Sequence, residues 1–111
     1  MGYMTNENKG TKMNTYALYQ IPFENDLIRD IRFMNPLEIE AVSDQFELVA
    51  TVEADSLDQV FHFGNMQRSK FNIVGEMVSV SVGDIIENLE TGETHVVDNI
   101  GFVKINMKEA V

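Results

Sequence analysis

The residues whose types could do chemistry are few in this chain: Asp84, Asp98, His62, His95, Ser79 and Ser81. A metal centre would need both histidines to converge with carboxylates such as Asp84 or Asp98. His62 falls in a helical segment and His95 in a strand, where a satisfied or exposed imidazole is the commoner case. A hydrolase would need Ser79 or Ser81 as nucleophile with His95 and Asp98. Neither serine sits in a glycine-flanked elbow, and strand serines ordinarily hydrogen-bond across strands. The glycines are scattered and none opens a helix with a lysine, so no phosphate loop is present. Asp84 and Asp98 each neighbour a glycine-containing turn, where an aspartate normally accepts from backbone amides two residues on. The sharper alternative is a ligand-facing pair. The residues assign no catalytic group, metal ligand or cofactor.

The elements that must position these groups are legible in turns and periodicity. Thr15–Ile21 is aromatic and β-branched and ends at Pro22, which suits a first strand. Asn25–Phe33 reads both ways, and a helical turn running into extended chain is the better fit. Asn35-Pro36-Leu37-Glu38 has the order of N-cap, N1, N2 and N3, with Glu38 placed to close a capping box. Met34 and Ile39 stand at the positions of a hydrophobic staple, so a short helix over Pro36–Val42 is predicted. Phe46, Leu48, Ala50 and Val52 then alternate with Glu47, Val49, Thr51 and Glu53, as an antiparallel strand with a mixed outer face. A second helix starts near Asp55-Ser56, carries Leu57, Val60 and Phe61 as its stripe, and stops at Gly64-Asn65. Residues 66–76 read as a loop that brings Arg68 and Lys70 close to Phe71.

From Met77 the pattern is β, with Val78, Val80 and Val82 on one side and Met77, Ser79 and Ser81 on the other. Gly83-Asp84 turns, Ile85–Leu89 is a short strand, and Glu90-Thr91-Gly92-Glu93 is a hairpin loop. Thr94–Asp98 returns, Asn99–Gly101 bends, and Phe102–Ile105 closes. The expected fold is α+β: a mostly antiparallel sheet with two short helices packed on one face and a C-terminal meander. Residues 1–14 are expected to be a disordered tail and residues 15–107 one domain, with Met13 as an alternative start to Met1.

Composition narrows the function. A chain of 111 residues with 44% apolar content can bury about 65% of its unfolded surface around one core. It has no cysteine, which suits a reducing cytosol. No apolar run approaches a membrane span and residues 1–14 are too polar for a signal peptide, so a cytoplasmic protein is expected. The net charge is −10, and ten acids against Arg29 and Arg32 between Glu24 and Asp58 supply −8 of it. Such a surface repels phosphate backbones and anionic headgroups, which disfavours direct nucleic-acid or membrane binding.

Six segments also carry a resemblance: Tyr19-Gln20-Ile21, Ile31-Arg32-Phe33-Met34-Asn35, Phe46-Glu47-Leu48-Val49, Phe63-Gly64-Asn65, Ser79–Ile85 and Val97–Phe102. In that order they resemble the YodL-like family, small domains of bacteria, mobile elements and phages, over residues 15–105. Gln67–Glu76 departs from the family's arginine-proline and phenylalanine-arginine-glycine stretch, with Arg68, Phe71 and Gly75 as loose echoes. Glu53-Ala54-Asp55-Ser56-Leu57 to Gly64-Asn65 is also similar to small phage-encoded proteins. The resemblance implies a phage or mobile-element origin and no catalytic residue.

The expected function is a non-enzymatic accessory protein that binds a host protein of defence, transcription or cell-cycle machinery. The alternatives are an acidic DNA mimic and, third, a small hydrolase or metal enzyme. The candidate contact residues are Glu38, Glu40, Glu53, Arg68, Phe71, Asp84, Asp98 and Asn99.

Overall fold

A computed structural model describes residues 12–108. Its frame is a six-stranded antiparallel sheet in the order β3-β2-β1-β4-β5-β6. The strands are β1 (Asn14–Gln20), β2 (Glu47–Ala54), β3 (Asn72–Ile73), β4 (Ile85–Asn88), β5 (Thr94–Asp98) and β6 (Gly101–Ile105). Strand β1 lies inside the sheet, with β2 on one side and β4 on the other. The C-terminal β4-β5-β6 meander forms as expected. Of the expected N-terminal tail, residues 1–11 lie outside the described residues, and Asn14 already pairs with Ala54.

Helix α1 (Pro36–Ala41) begins as its sequence dictates. Asn35 Oδ1 accepts from Glu38 N at 2.9 Å, and Glu38 Oε1 accepts from Asn35 N at 2.9 Å, closing the capping box around a proline at N1. Ile39 is fully buried, and Met34 packs in the same cluster, completing the staple. Helix α2 (Leu57–Met66) is capped by Ser56, which accepts from Gln59 N at 3.2 Å. Gln59 returns the bond to Asp55 N at 2.8 Å. Short 3-10 turns fill Asp26–Arg29 and Ile31–Phe33, where a helical turn running into extended chain was expected.

The two helices pack on opposite faces of the sheet, not on one. Adjacent strand residues point to opposite faces, and here adjacent residues feed different clusters. Ile86 and Val97 join Leu18, Val52, Val60 and Phe63 beneath α2. Ile85 and Val96 join Ile31, Ile39, Phe46 and Ile105 beneath α1 and the 3-10 turns. A bulge opposite Leu18/Tyr19 lets β2 change phase: Ala50 pairs with Leu18, whereas Leu48 pairs with Tyr19. Phe46 and Ala50, expected on one face, therefore serve opposite clusters. Leu48 is left 42% exposed and Val49 takes a buried place.

Two further expectations change for packing reasons. Gly64 does not stop α2, which runs on to Met66. A Cβ at Gly64 would collide with Val80 Cγ2, so the glycine is where the helix touches the 77–82 segment. The buried aromatic of α2 is Phe63, and Phe61 is 38% exposed. In the meander, Asp98 pairs with Gly101 across Asn99 and Ile100, and Gly101 takes φ +154°, a conformation that favours glycine.

Gly64→Ala should therefore destabilise the fold by about 1–3 kcal/mol, although the same change in an open helix is stabilising. Denaturant midpoints would check this, and Val80→Ala in the same chain should recover much of the loss. Full additivity of the two changes would show that the glycine's role is not this contact.

Candidate functional site

Segment 77–82 shows the β alternation of its sequence but forms no strand. A side chain takes the place of a neighbouring strand. Gln20, 5% exposed at the end of β1, donates from Nε2 to Val78 O at 3.0 Å and accepts at Oε1 from Val78 N at 3.0 Å. The amide thus makes the pair of bonds that a peptide in a sheet would make. Asn65 Nδ2 on α2 donates to Val80 O at 3.0 Å, and Val80 is buried beneath the helix. Val78, freed from a sheet face, is 41% exposed.

Asp84 stands at the same junction. Its Oδ2 accepts from Gln20 Nε2 at 2.9 Å and from Ser81 N at 3.0 Å. The amide it caps lies three residues back, rather than two on as the turn pattern suggests. Backbone bonds tie the turn to β5: Gly83 N donates to Val97 O at 2.8 Å and Val97 N to Asp84 O at 2.9 Å. The side chain is 7% exposed. Burial pushes its carboxyl up from 3.8 to about 7, against the opposing pull of the Gln20 and Ser81 bonds.

Asp84 lines a cleft of about 500 Å³ between the 3-10 turns and the 75–82 segment. Ile21, Ile28, Ile31 and Val49 contribute apolar wall, and Glu24, Glu47, Glu76 and Arg32 also line it. A volume of this size suits a side chain or a small ligand. A second groove, of about 700 Å³, runs between Phe46 and β6 and includes Tyr19 and Glu87. Tyr19 Oη donates to Glu87 Oε1 at 2.9 Å, and burial together with that carboxylate pushes the phenol up to about 12.

The other residues singled out by sequence are scattered. Asp98 is half-buried beside its hairpin and shares no side-chain hydrogen bond with Asp84. Exposed Asn99 lines a shallow hollow with Phe33, Ser81 and Val82. Phe71, expected as a contact residue, is 7% exposed and belongs to the α2 core. Arg68 is exposed nearby, and Lys70 Nζ lies 5.0 Å from the centre of the Phe63 ring. The expected 66–76 loop holds the end of α2, a 3-10 turn and β3.

Glu38 closes the capping box, and Glu40 Oε2 accepts from Asn106 N at 2.6 Å. Both carboxylates therefore hold backbone amides. Glu53 is exposed on β2. His62 is exposed on α2, while His95 pairs with Lys104 and Ile86 inside the sheet. Among the described residues no group of three or more histidines and carboxylates is arranged to hold a metal ion. Among them, too, no hydrogen bond joins Ser79 or Ser81 to His95 or Asp98. Gln20 is the functional residue that sequence reasoning missed. It entered only as part of the Tyr19-Gln20-Ile21 segment of the resemblance, with no role assigned.

The Asp84 environment has a pH consequence. Between pH 3.8 and about 7 the folded chain keeps a proton that the unfolded chain has released. Stability from this group is thus full below pH 4, falls as pH rises to 7, and is level above. The whole span is worth up to about 4 kcal/mol. Asp84→Asn keeps an oxygen for Gln20 and Ser81 but cannot ionise, so its stability relative to the parent should rise from pH 4 to pH 7. Parallel denaturation curves for the two proteins across that range would contradict the assignment. Gln20→Leu should cost about 2–4 kcal/mol by stranding Val78 and Asp84. Hydrogen exchange should quicken at the Val78 and Ser81 amides, and unchanged protection there would rule out the clamp.

Comparison of the chain with protein-family models, with curated proteins and with solved structures finds no match.

Proposed function

We propose that this protein is a non-enzymatic binding module that docks on a basic region of another protein. The observation that carries this reading is a large acidic excess left mostly unneutralised. The chain has eighteen acids against eight bases. Among the described residues only two ion pairs form, Lys12–Glu90 at 3.9 Å and Lys104–Glu93 at 3.5 Å, both well exposed. Unpaired carboxylates in water cost little by themselves but create a field that steers a positive partner. The YodL-like resemblance adds a class of partner: a host protein of defence, transcription or cell-cycle machinery met by a phage or mobile element.

The DNA-mimic alternative has less support. Mimicry needs carboxylates spaced like phosphates along one face. The ten acids of residues 24–58 fall on α1, α2, β2, the 3-10 turns and the loops that join them, which flank both faces of the sheet.

Partner capture from a host lysate with the full chain, followed by titration of the purified partner, tests the docking. Affinity should fall as salt rises, because exposed charges are screened within about 10 Å at 0.1 M. The acids to reverse are Glu24, Glu47 and Glu53, which are exposed and whose side chains make no hydrogen bond or ion pair among the described residues. Glu38 and Glu40 are unsuitable because they hold backbone amides. The triple reversal should slow association while changing stability by no more than about 0.5 kcal/mol per site. Salt-independent binding that survives the reversal would overturn the reading, and competition by duplex DNA would favour the mimic.

A further inference from the structure

We infer that the Asp84 cleft is a receptor for a cationic side chain, an arginine presented by the partner protein. This rests on the docking reading above and adds the site and the chemistry of its occupant. Three observations converge. First, a largely buried carboxyl on the cleft wall has one oxygen that its own protein leaves open to the cleft. Oδ2 of Asp84 takes both available donors, Gln20 Nε2 and Ser81 N, while Oδ1 accepts no hydrogen bond among the described residues. The side chain is 7% exposed yet forms part of the cleft lining. A donor entering from the cleft can exchange for water at that oxygen once the carboxyl is ionised.

Second, the lining is amphipathic in the way an arginine is. Aliphatic wall from Ile21, Ile28 and Val49 suits the methylene stem, and the polar groups suit the head. A guanidinium is planar, carries five donors and is weakly hydrated, so it enters a desolvated carboxylate site more readily than an ammonium does. Third, the charge on the cleft favours a cation. Glu24, Glu47 and Glu76 line it against one base, Arg32. Among the described residues Arg32 forms no ion pair with Asp84, so the protein does not fill the site itself.

The occupant also acts on Asp84. A guanidinium beside Oδ1 favours the ionised carboxylate, and the charged groups lining the cleft are Glu24, Arg32, Glu47 and Glu76. Binding should therefore be tighter at pH 8 than at pH 6, with proton release on binding between them.

The test is a titration of the ¹⁵N-labelled full chain with N-acetyl-arginine N′-methylamide, beside the same probe carrying citrulline. Saturable shifts at the Gln20, Ser81 and Asp84 amides are expected with arginine, stronger at pH 8 and absent with citrulline. Asp84→Asn should weaken binding at least tenfold with its spectrum otherwise preserved. Should that variant misfold, Glu47→Gln with Glu76→Gln, both exposed, should weaken it several-fold. Equal shifts with citrulline, no saturable shift, or undiminished binding by the variants would overturn the site. The docking reading fails separately. A captured partner whose salt-dependent affinity ignores Asp84→Asn leaves docking intact and removes the cleft from it. Saturation by the probe with no basic partner captured would do the reverse.

Discussion

The Gln20 side chain joins the two halves of this protein, and much of the rest depends on that join. Strand β1 is bonded both to β2 of the N-terminal half and to β4 of the meander. At its end Gln20 reaches beyond the sheet to hold Val78 and Asp84 together. A buried amide has donors and acceptors to satisfy, and each one left idle costs about 1–3 kcal/mol. The arrangement of the 78–84 segment is thereby over-determined: its backbone, the carboxyl of Asp84 and the glutamine satisfy one another. The same bonds leave Asp84 with one oxygen committed and the other without a hydrogen bond among the described residues.

The sheet is covered on both sides, and this sets where polar groups can go. Sheets buried on both faces read as consecutive apolar residues rather than as alternation. Ile85-Ile86 and Val96-Val97 do so here, and each pair divides between the two clusters. Helix α2 and the 77–82 segment close one face, while α1 and the 3-10 turns close the other. The cleft forms where these covers meet beyond the end of β1, with Ile21 and Ile31 from one cluster and Val49 from the other. A site at such a seam needs no gap in either core.

What was legible in the sequence was local. The Asn35–Glu38 capping box, its staple and the Ser56 cap involve residues three or four apart, so their spacing alone specifies them. The meander was legible because its turns and strands are consecutive. What stayed hidden depends on contacts between distant residues. The alternation of 77–82 has the period of a strand, yet its partners are side chains: Gln20, 58 positions from Val78, with Asn65 and Asp84. Gly64 has the look of a helix stop, and only Val80, from another element, shows it to be a contact point. Phe71 looked like a recognition residue beside two bases, until burial against α2 assigned it to the core. The bulge in β2 is the same lesson for phase. One extra residue moves every later side chain to the other face, and no single residue of Phe46–Val52 announces it.

The acidic character belongs to a different level. Net charge was plain from composition, but a run of acids in sequence is not a face in space. The carboxylates between Glu24 and Asp58 divide among elements on both sides of the sheet, and two of them, Glu38 and Glu40, are occupied with backbone amides. Spread over a solvated surface, such charges are weak individually and matter through their summed field. A cleft changes that, because its low-dielectric walls focus the field of the charges lining it into the recess. Glu47 lies beside Gln20 in strand register, and Asp84 sits beneath the same amide. The glutamine that fixes the fold at this point therefore also gathers negative charge around one recess, and that is where an otherwise diffuse acidity acquires a direction.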